Sequence, residues 1–216
     1  MKIKTFQVGY IVTNCYLVWD EESCEAMLID PGAYEPAVER EISSQGLKLK
    51  YIALTHGHGD HTSGVERFME SFPDAVLAAG AKESELLEDP GLNLSSDFLG
   101  TSVSLKPGLL LNEGDELCLG GLSFKVIETP GHTPGGLTFY VNDGDESRSF
   151  SGTAFTGDTL FRSSIGRTDL PGGDYDVLDA SVREKIFSLP DDTILFPGHM
   201  DDTTIEREKR YNPFFR

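Results

Sequence analysis

Residues 55–61 read Thr-His-Gly-His-Gly-Asp-His, which places three imidazoles and a carboxylate within six consecutive positions and spaces them with glycine. Imidazole nitrogen and carboxylate oxygen are borderline ligands that suit zinc, iron or manganese. Upstream, residues 50–55 (Lys-Tyr-Ile-Ala-Leu-Thr) read as a buried strand. Downstream, Val65, Phe68, Met69 and Phe72 recur at helical spacing, which predicts a helix starting near His61. The cluster therefore sits on a strand-to-helix turn, where Gly57 and Gly59 let the backbone fold sharply. Alternate side chains of such a turn can point to two neighbouring positions, so one short motif can feed two metals.

The chain has five histidines, and the two outside this cluster stand in similar settings. His132 lies in Thr-Pro-Gly-His-Thr-Pro-Gly and His199 in Phe-Pro-Gly-His-Met-Asp, each after an apolar, strand-like run and a Pro-Gly turn. Asp158 ends a further apolar run in Phe-Thr-Gly-Asp-Thr-Leu-Phe. A lone histidine or aspartate in such a place is usually a solvated or turn-forming residue. Four loops of one kind, using every histidine in the chain, point instead to a shared role.

His56-x-His58-x-Asp60-His61, followed in order by His132, Asp158 and His199, resembles the metallo-β-lactamase superfamily, and within it the glyoxalase II-like hydrolases. The match runs from the Leu-Ile-Asp-Pro-Gly strand end at residues 28–32 to the terminal Asn212-Pro213-Phe214. Position by position, the resemblance implies that His56, His58 and His132 bind one metal, that Asp60, His61 and His199 bind the other, and that Asp158 bridges them. It implies two divalent ions, zinc first, with iron and manganese as alternatives. Two such ions, two carboxylates and a bridging hydroxide leave about one net positive charge. That charge lowers the pKa of bound water towards about 7 and stabilises the oxyanion formed on attack. Asp60 and Asp158 would then act in catalysis through the hydroxide they help to hold. For Asp30 two roles stay open: turn chemistry at the strand end, or the family's role of supporting a metal ligand from behind.

At 216 residues the chain is long enough for one domain with a sizeable core, read here as a single unit over residues 1–216. Its formal net charge of -18, from 18 basic and 36 acidic residues, argues against a nucleic-acid partner. Three widely spaced cysteines, Cys15, Cys24 and Cys118, suggest reduced thiols in a cytoplasmic protein rather than a disulfide framework. The N-terminus lacks a signal-peptide apolar region and no apolar run approaches membrane-spanning length, so no membrane partner is expected. The oligomeric state is left open.

Along the chain, residues 3–8, 13–19 and 26–29 read as strands, the first two joined to their successors by turn-like polar stretches. A helix is expected from about Glu35, with Pro36 in its first turn and Gly46 just past its end. Residues 78–114 read as a connecting excursion that could also form a flap beside the metals, with a short surface helix at 81–88. Strands follow at 116–119 and 122–127, joined at Gly120-Gly121, and at 136–141 and 151–156 around an acidic turn at 142–146. A glycine-rich loop spans 160–173. In it, Arg162 is expected to pair with a surface carboxylate, and Arg167 to anchor either Asp169 or a substrate carboxylate. Asp174 or Asp176 can cap a helix whose Leu178, Val182, Ile186 and Leu189 share a face. A strand at 193–196 and a charged helix at 203–210 complete the chain. The repeated strand, helix, strand pattern implies an α/β (α+β) fold, an αββα sandwich of two mixed sheets with helices outside.

The reaction expected from the resemblance is hydrolysis of a small-molecule thioester such as S-(2-hydroxyacyl)glutathione, because a thiolate leaves without a strong general acid. Full-length glyoxalase II enzymes carry a further helical domain that contacts glutathione, and this chain ends about where that domain would begin. Three alternatives stand beside it: a persulfide dioxygenase with a single iron and a similar Gly-Arg-Thr-Asp loop, a lactonase or other ester hydrolase, and a non-enzymatic domain stabilised by structural metal. Glycines 57, 59, 131 and 198 suggest an open approach, as catalytic sites keep and structural sites lack.

Overall fold

The computed structural model describes residues 1–142 and 151–216. Its first half opens with β1 (Lys2–Val8), β2 (Thr13–Trp19) and β3 (Glu25–Ile29), followed by α1 (Pro36–Ser44) and β4 (Lys48–Ala53). Then come α2 (Gly59–Thr62), α3 (Val65–Ser71), β5 (Val76–Gly80), α4 (Ser84–Glu88), α5 (Ser95–Phe98) and β6 (Leu109–Leu111). The second half holds β7 (Glu116–Leu119), β8 (Leu122–Glu128), β9 (Leu137–Val141), β10 (Thr153–Gly157) and a small hairpin of β11 (Leu160–Phe161) and β12 (Ser164–Ile165). It ends with α6 (Tyr175–Ala180), β13 (Ile194–Pro197), β14 (Thr203–Thr204) and α7 (Ile205–Tyr211).

The strands form two six-stranded mixed sheets, β1-β2-β3-β4-β5-β6 and β14-β13-β10-β9-β8-β7. Residue alternation explains why they stack. Along β2, Cys15 and Leu17 join one core cluster with Val38, Ile42, Val65 and Phe68 of α1 and α3, whereas Tyr16 and Val18 join Phe124, Phe139 and Phe155 of the opposite sheet. Successive side chains of a strand face opposite ways, so a strand apolar throughout must be covered twice. A third cluster packs Ala154 and Leu195 against Val182, Ile186 and Ile205, closing the outer face of the second sheet. The result is the expected αββα sandwich.

Local chemistry sets the helix ends where the sequence signals them. The Glu35 carboxylate accepts from Ala37 N–H at 2.9 Å at the start of α1, and Gly46 takes the left-handed conformation (φ 63°) beyond its end. Asp174, not Asp176, caps α6 by accepting from Val177 N–H. The helix predicted near His61 is split: α2 is one turn, and α3 begins at Val65 after Gly64 N–H donates to the Pro31 carbonyl. The helix predicted from residue 203 begins at Ile205, because Thr203 and Thr204 pair with Leu195 and Ile194 first. Apart from Asn142, the expected acidic turn at 142–146 lies outside the described residues.

The excursion read at 78–114 is corrected at its two ends only, while Leu94 and Leu99 between them line the cavity beside the candidate ligands, as the flap reading expects. β5 and β6 are parallel strands of the first sheet, paired β4 to β5 and β5 to β6. The Val-Leu-Ala-Ala-Gly sequence of β5 is nearly all buried, so it lacks the polar alternation of a half-exposed strand, and β6 has only three residues.

Strands β3, β4, β8, β10 and β13 end in residue 30 or in the loops that carry the candidate ligands. The two halves are fastened there by β2. Asn14 Nδ2 donates to the carbonyls of Pro197 and Met200 at 3.0 and 2.8 Å, its backbone N–H donates to the Gly198 carbonyl at 2.7 Å, and Tyr16 Oη donates to the Pro197 carbonyl at 2.6 Å. Asn14→Ala should leave the Met200 carbonyl without its partner and the Pro197 carbonyl with Tyr16 alone, and cost about 1–3 kcal/mol in urea denaturation, with no change in slope.

Candidate metal centre

All seven sequence-predicted ligands meet at one end of the sandwich. His56, His58 and His132 bring one nitrogen each within 4.8 Å of one another, as do the ligand atoms of Asp60, His61 and His199. Asp158 lies between the two groups, with Oδ1 at 3.4 Å from His61 Nε2 and Oδ2 at 3.6 Å from both His132 Nε2 and His199 Nε2. His61 Nε2 and His199 Nε2 are 3.3 Å apart, and Asp60 Oδ2 is 3.3 Å from His199 Nε2.

Hydrogen bonds behind the rings fix which nitrogen faces inward. Asp30 is buried at φ 50°, a left-handed conformation that turns its carboxylate under the histidine loop. Its Oδ1 accepts from Thr55 N–H at 2.8 Å, and its Oδ2 accepts from Thr55 Oγ1–H at 2.6 Å and from His61 Nδ1–H at 3.0 Å. With its proton given to Asp30, Thr55 Oγ1 accepts from His56 Nδ1–H at 3.2 Å. His132 Nδ1–H donates to the Arg167 carbonyl at 2.7 Å. Three rings thus carry their proton on Nδ1 and present an Nε2 lone pair to the centre, the arrangement that holds a metal-ligating imidazole in place. Asp30 also falls within reach of His56 and His61 as a third group of ligand type. Its two oxygens are already taken up by Thr55 and His61, so it supports those ligands from behind; of the two roles open to it, the supporting one is the one the contacts describe.

The chemistry of this donor set fits a pair of cations. Buried His56 Nε2 and Asp158 Oδ1 have no hydrogen-bond partner among the described residues, and orphaned buried polar atoms are rare unless something else satisfies them. Burial, then the neighbouring His61 and His132, holds the His56 imidazole well below its ordinary pKa, and burial with His132 brings His58 down to about 3. Both therefore keep lone pairs free at neutral pH. At His61, burial is outweighed by the Asp158 and Asp60 carboxylates, which raise its pKa; at Asp158, burial is outweighed by His61, His132 and His56, which hold its carboxyl well below the usual range.

Glycines let the loops approach. A Cβ on Gly198 would lie 2.3 Å from Asp158 Oδ1 and 2.6 Å from His61 Cε1, and one on Gly157 (φ 49°) would lie 2.2 Å from Thr55 Oγ1. The open approach read from four glycines is corrected accordingly: Gly57 and Gly131 are packed against Leu86 and Leu178, and only Gly59 of the four lines the cavity above the site. That cavity, about 370 Å³, is walled instead by apolar side chains, among them Ile11, Leu94, Leu99, Phe161, Ile165 and Leu170, over a floor of His58, Asp60, His132, Asp158 and His199. Arg167 also lines it, with its guanidinium paired to Asp169 by two hydrogen bonds of 2.7 and 2.8 Å. Arg162 pairs with Asp201 at 3.4 Å on the surface, outside the cavity.

Two contributors escape sequence reading. Asn14 anchors the His199 loop from another sheet, and buried Glu83 accepts from Gly57 N–H and Gly135 N–H at 2.7 and 2.6 Å. The signal for Glu83 is its place on the apolar face of residues 83–88, three and four positions before Leu86 and Leu87, which are buried. For Asp30, Asp30→Ala is expected to weaken metal binding about 10- to 100-fold in chelator competition, because two rings lose the groups that fix their tautomers.

A family model described as the metallo-beta-lactamase superfamily matches residues 8–199. Hydroxyacylglutathione hydrolase GloC of Haemophilus influenzae is 37% identical over 215 residues, 99% of this chain and 98% of that protein. The solved structure of BLEG-1, a B3 metallo-beta-lactamase, is similar with a TM-score of 0.89, 38% identity and 99% of each chain covered. TTHA1623, solved in a di-iron-bound form, is similar with a TM-score of 0.82 and 35% identity over 98% of this chain and 99% of that one. With this match in family, fold and His/Asp clusters, the chain belongs to the metallo-β-lactamase superfamily of metal-dependent hydrolases.

Proposed function

We propose that this metallo-hydrolase cleaves small thioesters, with S-(2-hydroxyacyl)glutathione as the leading candidate. It would use two divalent ions, zinc first, held by His56, His58 and His132 on one side and Asp60, His61 and His199 on the other, with Asp158 between. The observation that carries the reading is the convergence of these side chains, with His56 Nε2 and Asp158 Oδ1 orphaned and five of the seven on the floor of a cavity open to solvent. A structural metal site would be closed over by its ligands. Divalent ions bound there supply a Lewis acid for the carbonyl and a water acidified towards neutrality.

The chain's own residues do the rest. Asp60 and Asp158 hold negative charge at the cavity floor and orient the attacking water. The apolar walls seat the acyl group and keep bulk water away from the scissile carbonyl. All five histidines belong to the cluster, so none remains as a separate proton donor for a poor leaving group. A thiolate needs no such donor, and the Haemophilus influenzae relative, a hydroxyacylglutathione hydrolase by name, supports the same bond. Arg167, the one cation lining the cavity among the described residues, would meet a substrate carboxylate in competition with Asp169. The acidic surface disfavours nucleic acid, and the three unpaired cysteines suit a reducing, cytoplasmic setting.

Elemental analysis combined with turnover of S-lactoylglutathione, a neutral acyl thioester, a lactone and a β-lactam tests this reading. Wild-type protein should hold two metal equivalents and hydrolyse a thioester fastest, and Asp158→Ala should lose one equivalent or most of its rate. Undiminished turnover in Asp158→Ala would end the two-metal reading. A single iron with oxygen uptake would replace hydrolysis with persulfide oxidation, and a faster lactone or β-lactam would move the substrate class.

A further inference from the structure

Glu83 is fully buried, and no Lys or Arg pairs with it among the described residues. Burial raises the pKa of its carboxyl, so the fold places an awkward group in an expensive position. What it receives there is two backbone amides: Oε2 accepts from Gly57 N–H at 2.7 Å and Oε1 from Gly135 N–H at 2.6 Å. Gly57 stands between His56 and His58, and Gly135 lies three residues beyond His132. One carboxylate thus ties together the two loops that carry the three-histidine group. On the far side of His58, Gly59 N–H donates to the Asn93 carbonyl at 2.7 Å, so the same excursion holds both peptide neighbours of that histidine. The space around Glu83 is filled as well. A Cβ on Gly57 would lie 2.5 Å from Leu86 Cδ2, and one on Gly135 would lie 2.6 Å from the Glu83 backbone nitrogen.

We propose that Glu83 is a positioning residue that sets the spacing of His58 and His132 for metal binding, acting through the Gly57 and Gly135 amides. His58 Nδ1 and His132 Nε2 stand 2.9 Å apart with no direct bond from Glu83 to either ring. The hold of Glu83 on their separation therefore runs through the loops it ties, beside the hydrogen bond between the rings themselves. A carboxylate suits the task because each of its oxygens accepts, whereas an amide would set an N–H donor against one of the two peptide N–H groups. The inference rests on the two-metal reading and deepens it: Glu83 serves the three-histidine site and leaves the Asp60/His61/His199 site alone.

Cobalt(II) titration of metal-free protein, followed by its visible absorption, tests this apart from catalysis. Glu83→Gln should weaken the three-histidine site about 10- to 100-fold and alter its spectrum, while the second site stays within a few-fold of wild type. Val38→Ala, a core truncation on α1, controls for a general loss of stability and should leave the ratio of the two affinities unchanged. Two unaltered sites in Glu83→Gln would overturn the assignment of Glu83 alone; a wild type that takes up fewer than two ions would sink the two-metal reading itself. If Glu83→Gln does not fold, amide exchange in metal-free wild type decides. Slow exchange at Gly57 and Gly135 is expected, and exchange as fast as in an open loop overturns the proposal.

Discussion

Imidazole lone pairs crowded together without partners of their own are the constraint to which the rest of this molecule answers. His56 Nε2 is buried with nothing to bond, and His61 Nε2 faces His199 Nε2 at 3.3 Å. Left to itself such a cluster would spread apart, since its lone pairs repel and burial penalises the protonation that would relieve them. The fold prevents this from outside the cluster. Asp30, Thr55 and the Arg167 carbonyl hold the outward ring nitrogens, Asn14 ties down the His199 loop, and Glu83 ties the loops of His58 and His132. Almost every one of these ties ends on backbone or on a buried oxygen.

The placement of the centre follows from sheet geometry. β10 runs parallel to β13 and antiparallel to β9, which is antiparallel to β8, so β8, β10 and β13 point the same way and deliver His132, Asp158 and His199 together. β3 and β4 are parallel in the other sheet and deliver Asp30 and the histidine loop. Neither half holds a complete site. The cost of ordering the loops is shared with the cores that clamp the strands, which makes the geometry of the centre a property of the whole sandwich rather than of any one motif.

The ligands were legible in the sequence because their chemistry is specific: borderline donors at one- and two-residue spacing, then three further strand ends of one kind. Capping residues such as Glu35, Gly46 and Asp174 were legible for a similar reason, since each does something its neighbours cannot. What stayed hidden depends on contacts distant in the chain. β5 is short and apolar, and buried at every position after Val76, so no period marks it. Glu83 binds peptide groups, which every residue has, and nothing at Gly57 or Gly135 announces a carboxylate partner. The Gly-rich approach misled because glycine serves close packing as readily as open space: Gly198 gives way to Asp158 and His61, not to a ligand.

Charge and polarity then narrow what such a site can turn over. A surface with a formal net charge of -18 draws in cations and repels polyanions, and the field weakens with added salt. Above the ligand floor the cavity is mostly aliphatic and aromatic, with Arg167 already engaged by Asp169. On the thioester reading, a substrate gains affinity by burying apolar surface near its carbonyl, and its charged ends are better left at the mouth. Among the described residues, the polar groups lining the cavity are those of the ligand floor, Ser164 and Arg167. Such a pocket discriminates weakly among acyl groups of similar size, since a methylene more or less is worth about 1–3 kcal/mol. On the same reading it discriminates more strongly by leaving group, because no spare imidazole is at hand to protonate an amine or an alkoxide.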